Sequence, residues 1–490
     1  MNLKSLAKRA TVVTLSTAIL AGGDALVTNA APKDSKDHKE DYGFSHITRS
    51  DMKNMIDQHG DPDFTVPSFD ASTIENIPSA KKINEEGSEI DMDVWDTWPL
   101  QNADGTVAEY NGYHILFGLA GDPKNANDTF IYMFYKKAGE TSIDAWKNAG
   151  RVFDDEDKYI PDDPYLKDQS EEWSGSATFT SDGEVRLFYT NRTEFNLDKE
   201  LYGKQTLTTA QVNVSEPEAG TLQVDGVEDH KSIFEGGDGS IYQNVNQAFG
   251  GEEINFNENH TLRDPHYVEE NGRKYLVFEA NTGTETGYQG EESLYNRAYY
   301  SNSNKFFQDE KENLLESPQK EFAELANGAI GIIEINDDYT LKNVMKPLVA
   351  SNTVTDEIER PNIFKKDGKW YLFTSARGSK MTIDGIDNED IYMLGYVSNS
   401  LTGPYKPMNK TGIVLHQDLD PHDVTWNYAH YAIPQENSDD VVITSYMTNR
   451  GYFEDDKSTF SPSFKLDLKG KKSSVVEDSI LEQGQITVDE

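Results

Sequence analysis

The sequence of 490 residues contains no cysteine, and its 86 acidic residues outnumber 45 basic ones. Without cysteine, disulfide bonds, thiolate metal ligands and a cysteine nucleophile are excluded. The formal net charge of −41 repels nucleic acids and anionic membrane surfaces, so we expect neither as a partner. After residue 30 no stretch is apolar enough to span a membrane. The 25 tyrosines and the 11% of aromatic residues are typical of β-structure and of sugar-binding surfaces.

The first thirty residues have the order of a secretory signal peptide. Lys4, Lys8 and Arg9 precede an uncharged apolar run at residues 10–20, and small residues then lead to Ala30. This run is shorter than the ~20 residues that a membrane span requires, although an uncleaved anchor is the alternative. Residues 31–50 are mostly polar and are predicted to be a flexible leader. We therefore expect a secreted, extracellular monomer, free of the membrane after cleavage, with one folded domain at residues 51–490.

A turn followed by an apolar strand recurs along the rest of the chain. An Asn-Gly or Asp-Gly pair precedes an apolar run at Gly112, Gly183, Gly272 and Gly368, and a degenerate fifth copy begins at Ser438. Such pairs between strands are a strong signal of β-hairpins. A hairpin unit repeated about five times predicts an all-β fold, a five-bladed β-propeller. On the pattern alone, a sandwich or a solenoid with similar hairpins stays open.

Unusual polar groups precede four of these hairpins. They are Asp96, the pair Trp173-Ser174, the pair Arg263-Asp264, and the run at residues 356–360. Because the innermost strands of a propeller converge on its axis, carboxylates from three blades would meet there. Two carboxyl groups flanking a glycosidic bond are what glycosyl transfer requires. Solvated strand ends in an acidic protein are the alternative interpretation.

Strand alternation separates the carboxylates of the fourth motif. Glu357 and Glu359 are two residues apart and share a face, whereas Asp356 points away from them. Neighbouring glutamates oppose each other's ionisation, so at least one should have a raised pKa and serve as a general acid. Compensating positive charge would come from nearby arginines, namely Arg263, Arg360 and Arg377.

Taken together, the segments at 94–100, 172–177, 262–266 and 355–360 closely resemble motifs of the bacterial levansucrases of glycoside hydrolase family 68. The likeness runs from about Tyr42 to Glu490 and is closest to secreted enzymes of Bacillus-type bacteria. It implies a five-bladed propeller with a funnel-shaped central pocket. It also implies cleavage of sucrose with release of glucose, and transfer of the fructosyl unit to a β(2,6)-fructan acceptor or to water by a retaining, two-step mechanism.

Two other functions remain compatible with these residues. An inulosucrase or an invertase-like hydrolase could use the same scaffold, since linkage and acceptor choice depend on positions outside the motifs. A non-catalytic sugar-binding propeller is disfavoured, because binding alone does not require all three carboxylates.

The resemblance also implies roles for individual residues. Asp96 matches the family's nucleophile, Glu359 its acid/base, and Asp264 its transition-state stabiliser. Further positions match residues that bind sucrose or line its pocket: Trp95, Trp173, Ser174, Arg263, Glu357, Arg377 and Arg450. Asn259 and Lys380 are candidates for the outer subsites.

A structural calcium ion is the cofactor that the resemblance implies. The matching ligand positions are Glu258, Gln289, Leu325 through its carbonyl, Asn327 and Asp356, an all-oxygen set that suits Ca²⁺. The family pattern leads us to expect aspartate at position 258, so the longer glutamate should shift or weaken coordination. The stretches at 84–91 and 191–202 also depart from the pattern and are interpreted as solvated surface that touches no motif.

Overall fold

The computed structural model describes residues 44–84, 86–125, 127–153, 166, 169–237, 241–249, 258–283, 288–418, 427–436, 438–447 and 458–488. The predicted signal peptide, most of the predicted leader and Arg450 lie outside these ranges. Within them, no helix is long and apolar enough to cross a membrane.

Antiparallel strand pairing forms five units in the described chain, which we call blades 1 to 5 in chain order. A short parallel pairing of Leu100 and Gln101 with Ala177 and Thr178 joins blades 1 and 2 in one sheet. Blade 1 consists of Asp93–Gln101, Tyr113–Gly121, Phe130–Lys137 and Lys147–Arg151, with Glu109–Tyr110 beside the second strand. Blade 2 consists of Gln169–Phe179, Val185–Thr193, Gln205–Glu218 and Thr221–Phe234. Blade 3 consists of Leu262–Glu270, Arg273–Asn281, Gly328–Ile335 and Leu341–Val344, with Val349–Ala350 and Ser45–His46 at its edge.

The last two blades complete the predicted five. Blade 4 consists of Glu359–Lys366, Lys369–Arg377, Asp390–Ser398, Lys406–Pro407 and Ile413–Asp418. Blade 5 consists of Asn427–Pro434, Asp440–Met447, Phe464–Lys469 and Lys472–Val475, with Thr459–Phe460 beside the second strand. Two short hairpins lie outside the blades, at Lys81–Ile83 with Glu89–Asp91 and at Phe195–Asn196 with Leu201–Tyr202. This architecture confirms the prediction of an all-β, five-bladed propeller.

The predicted turns precede the second strand of every blade. Asn111, Asn271 and Asp367 have φ between 51° and 53°, and the glycine after each also has positive φ. Two consecutive positive φ angles define the hairpin turn that matches the twist of the flanking strands, and glycine adopts the second of them at no steric cost. The degenerate copy at Ser438 leads into Asp440–Met447 of blade 5, and neither Ser438 nor Asp439 has a positive φ.

Helices are short and lie in the connections. The α-helices are Arg49–Met55, Val245–Phe249, Asn304–Glu316 and Lys320–Leu325. The 3-10 turns are Ile56–Gln58, Ala71–Thr73, Ile143–Ala145, Leu197–Lys199, Glu291–Tyr295, Arg297–Tyr299, Gly378–Lys380 and Met408–Lys410. Two of the α-helices and two of the 3-10 turns lie between the second and third strands of blade 3, and this long connection also carries the predicted metal ligands Gln289, Leu325 and Asn327.

The innermost strands share a β-bulge near their amino-terminal ends. In blades 1, 3, 4 and 5 two residues of the first strand oppose one residue of the second, and the first of the two has positive φ. These residues are Asp96, Asp264, Arg360 and Ala429. In blade 2 the pairing slips by one residue at Ser174. Bulges re-aim side chains and are common beside active sites, and here an irregularity of this kind recurs in the first strand of every blade.

The folded domain begins before residue 51. Ser45–His46 pairs in parallel with Val349–Ala350, and the helix Arg49–Met55 follows with Thr48 as its N-cap. Arg49 is 1% exposed, and it donates to Glu310 Oε1 at 3.0 Å, to the Thr353 carbonyl at 2.7 Å and to the Thr382 carbonyl at 2.8 Å. The boundary that we predicted at residue 50 is therefore wrong, because the last part of the predicted leader is held in the fold by these contacts.

We expect Arg49→Met to lower the free energy of unfolding by about 3 kcal/mol, since it leaves Glu310 buried with Lys53 as its remaining cationic partner. Urea denaturation of the mature protein measures this. Lys305→Ala is the control, because the exposed Lys305–Asp309 pair should contribute less than about 1 kcal/mol. Equal stability of both variants would show that Arg49 does not anchor the amino-terminal segment.

Candidate active site

The three predicted catalytic carboxyl groups lie at the bulges of three different blades. Asp96 and Asp264 are themselves the bulge residues, with φ of 45° and 57°. Glu359 directly precedes Arg360, the bulge residue of blade 4, which has φ of 53°. Non-glycine residues with such φ angles are strained, and strain of this kind concentrates at functional sites. The bulges therefore bring together residues that are up to 263 positions apart in sequence.

Asp96 is held by two other blades. Ser174 Oγ donates to Asp96 Oδ2 at 2.7 Å, and Arg360 Nη1 lies 3.2 Å from Asp96 Oδ1. The Arg360 guanidinium also donates to the Thr97 carbonyl at 3.0 Å. The Asp96 side chain is 19% exposed, so its carboxylate is oriented by neighbours but still accessible.

Asp264 is more deeply buried, with 6% of its surface exposed. Its backbone N–H donates to Thr190 Oγ1 at 2.9 Å, and its Oδ2 accepts from the Arg360 backbone N–H at 3.1 Å. Burial raises the pKa of the Asp264 carboxyl, while the charges of Arg263 and Arg360 oppose that rise. A fixed, desolvated carboxyl is suited to hydrogen-bonding a ligand hydroxyl group.

Arg263 lies among three glutamates. Its guanidinium forms a two-point contact with Glu279, from Nε to Oε2 at 2.8 Å and from Nη2 to Oε1 at 3.3 Å. The same Nη2 donates to Glu357 Oε2 at 3.2 Å and to Glu359 Oε1 at 3.0 Å. Glu279 is fully buried, and our sequence analysis missed it. The sequence feature that could have identified Glu279 is that it is the single charged residue in the otherwise apolar run from Tyr275 to Ala280.

Glu357 and Glu359 differ in pKa, as the sequence analysis expected. Burial and the nearby charge of Glu357 raise the pKa of Glu359 to about 7, against the attraction of Arg263 and Arg377. Burial also acts to raise the pKa of Glu357, but Arg263, Lys380 and Arg377 outweigh it, and that pKa is lowered. Near neutral pH the site thus contains a protonated carboxyl group beside an ionised one, the arrangement that an acid catalyst requires.

Aromatic rings and arginines surround the carboxyl groups. Trp95 and Trp173 are half-buried, in the positions directly before the bulges of blades 1 and 2. The Arg377 guanidinium lies over the Tyr428 ring at 4.4 Å, and its Nη2 is 3.2 Å from Glu359 Oε2. Tyr428 and Tyr446, both missed by the sequence analysis, contact each other edge to face at 6.3 Å. Burial and the charge of Asp96 raise the pKa of Tyr446.

The five predicted calcium ligands also come together. One amide nitrogen of Gln289 donates to Glu258 Oε1 at 2.6 Å and to the Leu325 carbonyl at 2.9 Å, so these two oxygens lie around one point. Asn281 Nδ2 bridges Asn327 Oδ1 at 2.7 Å and Asp356 Oδ1 at 3.0 Å. Burial raises the pKa of Glu258, and burial followed by the charge of Glu258 raises that of Asp356 to about 7. Two desolvated carboxyl groups within an oxygen-rich cluster fit a divalent cation.

Asp356 connects this cluster to the candidate active site. Its Oδ2 accepts from the Asn259 backbone N–H at 2.8 Å, and the Asn259 side chain donates to Glu357 Oε2 at 3.1 Å. Lys380 Nζ lies 3.8 Å from the same Glu357 oxygen. Both predicted outer-subsite residues therefore contact Glu357. Asp356 and Glu357 face different clusters, as expected, although both precede the strand Glu359–Lys366 and strand alternation is therefore not the cause.

A second group of possible metal ligands among the described residues is His59, Asp390 and His416. The imidazole rings of His59 and His416 are stacked at 3.9 Å and 15°, so their lone pairs cannot point at one ion without a ring rotation. His416 Nε2 is 2.8 Å from Asp390 Oδ1, and Tyr392 OH is 3.0 Å from both Asp390 Oδ2 and His59 Nε2. These contacts describe a hydrogen-bonded cluster that needs no metal.

This fold and this constellation define a β-propeller enzyme that acts on glycosidic bonds. The model of the family described as Levansucrase/Invertase matches residues 37–487, and the chain belongs to this family, glycoside hydrolase family 68. The chain is 65% identical over 490 residues to the levansucrase of Bacillus subtilis (strain 168), with all of both chains covered. It is 63% identical over 492 residues, again with full coverage, to an inactive levansucrase of Geobacillus stearothermophilus. A solved structure of levansucrase complexed with sucrose matches with a TM-score of 0.86 and 66% identity, and covers 92% of this chain and 98% of that chain.

If Glu359 is the acid, kcat/KM should fall as the pH rises through about 7, because the proton that must be donated is then lost. Glu357→Gln removes the charge that raises this pKa and should move the alkaline limb to lower pH. Arg377→Gln removes an opposing charge and should move it to higher pH. Initial rates between pH 5 and 9 measure both shifts.

The control is Asp182→Asn, a substitution in an exposed turn of blade 2. It should leave the alkaline limb of the kcat/KM profile at the same pH. Shifts of the same sign in Glu357→Gln and Arg377→Gln would contradict the assignment of the limb to Glu359.

Proposed function

We propose that this chain is a levansucrase, which cleaves sucrose, releases glucose and transfers the fructosyl unit to a growing β(2,6)-fructan or to water. The observation that carries the proposal is the convergence of Asp96, Asp264 and Glu359 from three blades. Among them, Asp96 is oriented by Ser174 and Arg360, and Glu359 has a pKa near neutrality.

In the first half-reaction, an Asp96 oxygen attacks the anomeric carbon of the fructosyl unit while Glu359 gives its proton to the glycosidic oxygen. The bond to glucose breaks, glucose leaves, and a covalent fructosyl–enzyme remains. Asp264 accepts hydrogen bonds from fructosyl hydroxyl groups in the oxocarbenium-like transition state. Since Asp264 is already desolvated and fixed by the Arg360 N–H, little reorganisation is needed when charge develops.

In the second half-reaction, ionised Glu359 takes a proton from an acceptor hydroxyl group, whose oxygen attacks the anomeric carbon and releases Asp96. Two displacements at one carbon retain its configuration. Arg263 and Arg377 contact Glu359 throughout, so they stabilise its anionic form between the two steps. The residues proposed to bind sucrose are Trp95, Trp173, Ser174, Arg263, Glu357, Arg377 and Arg450.

A relative with 63% identity is an inactive levansucrase, so overall similarity is not sufficient for activity. In this chain the three carboxyl groups are present and each has an oriented partner, which favours an active enzyme. An inulosucrase or a hydrolase would use the same residues and differ in the products.

The fit of the Glu258–Asp356 cluster supports a structural Ca²⁺, held by Glu258, Gln289, the Leu325 carbonyl, Asn327 and Asp356. The ion would supply positive charge between desolvated carboxylates and tie the long connection of blade 3 to the segment that leads to Glu359. We also propose that the enzyme is secreted as a monomer after removal of residues 1–30, on the order of charges, apolar run and small residues at its amino terminus.

The direct test is incubation of the mature protein with sucrose. Glucose in excess of fructose, with a precipitable polymer whose linkage is β(2,6) by NMR, is the expected result. Asp96→Ala should lose at least about 10³-fold in kcat, while Asp182→Ala keeps the wild-type rate. Equal glucose and fructose would identify a hydrolase, β(2,1) polymer an inulosucrase, and intact sucrose a binding protein.

Removal of Ca²⁺ with EDTA should lower the melting temperature by about 5 °C, and added Ca²⁺ should restore it, because a ligand of the native state alone stabilises that state. Asp356→Ala should show the lowered temperature without a further response to EDTA. Glu258→Asp should bind Ca²⁺ more tightly than the wild type, as measured by calorimetry. A wild-type melting temperature that EDTA leaves unchanged would refute the site.

A further inference from the structure

The segment that begins at Arg192 does contact a motif, contrary to our interpretation of residues 191–202 as solvated surface. Arg192 lies opposite Glu171 in the pairing of the first two strands of blade 2, and its guanidinium is bonded to the Glu171 carboxylate. Glu171 Oε2 in turn accepts the indole N–H of Trp173 at 2.6 Å. The Arg192 guanidinium also lies over the Trp173 ring at 4.8 Å.

Local geometry explains why these three side chains meet. Glu171 and Trp173 are two residues apart on one strand and therefore share a face. Gly203, at φ of 67°, leaves room for the guanidinium, since a Cβ there would lie 3.1 Å from Arg192 Nη2. Residues 193–204 form a hairpin that returns the chain to Gln205, which pairs with Arg192 on its other side. Arg192 is thus fixed between two strands at the base of this hairpin.

The indole ring also contacts the catalytic cluster. Arg263 lies over the Trp173 ring at 5.7 Å, and Arg263 donates to Glu359 at 3.0 Å. A half-buried tryptophan has two side-chain torsions that must be fixed before its ring can serve as a sugar platform. Here a charge-assisted hydrogen bond fixes the edge of the ring, and a guanidinium packs against it.

We propose that Glu171 and Arg192 are positioning residues for sucrose binding, which act by fixing the Trp173 ring. This inference rests on the proposed function, since it takes Trp173 as part of the sucrose site. Neither residue touches the reacting atoms. Their loss should therefore weaken sucrose binding and leave the chemical step largely intact.

Arg192→Ala should raise KM for sucrose about tenfold and change kcat by less than about twofold. Arg192→Lys keeps the charge without the planar fork and should give an intermediate KM. Glu171→Gln keeps an acceptor for the indole N–H but loses the ion pair, and it should also raise KM. In a Trp173→Phe background, Arg192→Ala should have less than about a twofold further effect, because its target is gone.

Lys199→Ala is the matched control. Lys199 lies on the same hairpin and pairs with Glu194 at 2.9 Å on the exposed surface, so its loss should leave KM unchanged. If Lys199→Ala raised KM as much as Arg192→Ala, general loosening of the hairpin would be the cause and the proposal would be wrong.

A spectroscopic readout separates this proposal from the proposed function. The chain has six tryptophans, so ¹⁵N-indole labelling gives six N–H signals, and Trp173→Phe identifies the one that belongs to Trp173. We expect Arg192→Ala and Glu171→Gln to shift that signal and Lys199→Ala to leave it in place. An unmoved signal overturns the positioning pair whatever the activity. A wild type that leaves sucrose intact contradicts the proposed function. In that case the indole signal alone still tests whether Glu171 and Arg192 fix the Trp173 ring.

Discussion

The arrangement of the candidate site depends on one guanidinium, that of Arg263, placed among Glu279, Glu357 and Glu359. Burying several carboxylates together is costly, and in this protein of net charge −41 a cation near them is especially valuable. Glu279 has no exposed surface, so its two-point contact fixes Arg263 from the core side. Arg263 Nη2, which shares the contact with Glu279, also donates to Glu357, just before blade 4, and to Glu359, the first residue of that blade. Blades 3 and 4 are thus joined at the point where the chemistry is proposed to occur.

The β-bulges supply the second constraint. A regular strand would alternate its side chains between two faces, and Asp96 and Thr97 would each face one residue of the neighbouring strand. With two residues opposite Gly118 alone, the strand turns at Asp96. The same insertion at Asp264 and Arg360 places a carboxylate and a guanidinium at equivalent positions in blades 3 and 4. Repetition of one backbone irregularity therefore builds a site from different side chains.

Much of this could be predicted from sequence, because the relevant signals are local. The Asn-Gly and Asp-Gly turns predicted the blades, four short motifs predicted the carboxyl groups, and the family resemblance implied the ligand cluster around Asp356. Glu279, Tyr446 and Arg192 escaped because their roles arise from cross-strand pairing, which brings Glu279 opposite Arg263 and Arg192 opposite Glu171. Glu279 has one local signal, its charge within an apolar strand, whereas nothing adjacent in sequence marks Tyr446 or Arg192. The start of the domain was misplaced for the same reason, since a polar segment is fixed there by Glu310 and Thr353, more than 250 residues away.

Glu357 and Glu359 have different pKa values because some of their neighbouring groups differ. Arg263 Nη2 is almost equidistant from them, at 3.2 Å and 3.0 Å, and Arg377 contacts both. Among the described residues, Asn259 and Lys380 contact Glu357 and favour its ionised form. Once Glu357 is ionised, its charge adds to burial in keeping the proton on Glu359. Two identical side chains that both contact Arg263 thus acquire opposite protonation states, because neighbours from the loops before blade 3 and within blade 4 distinguish them.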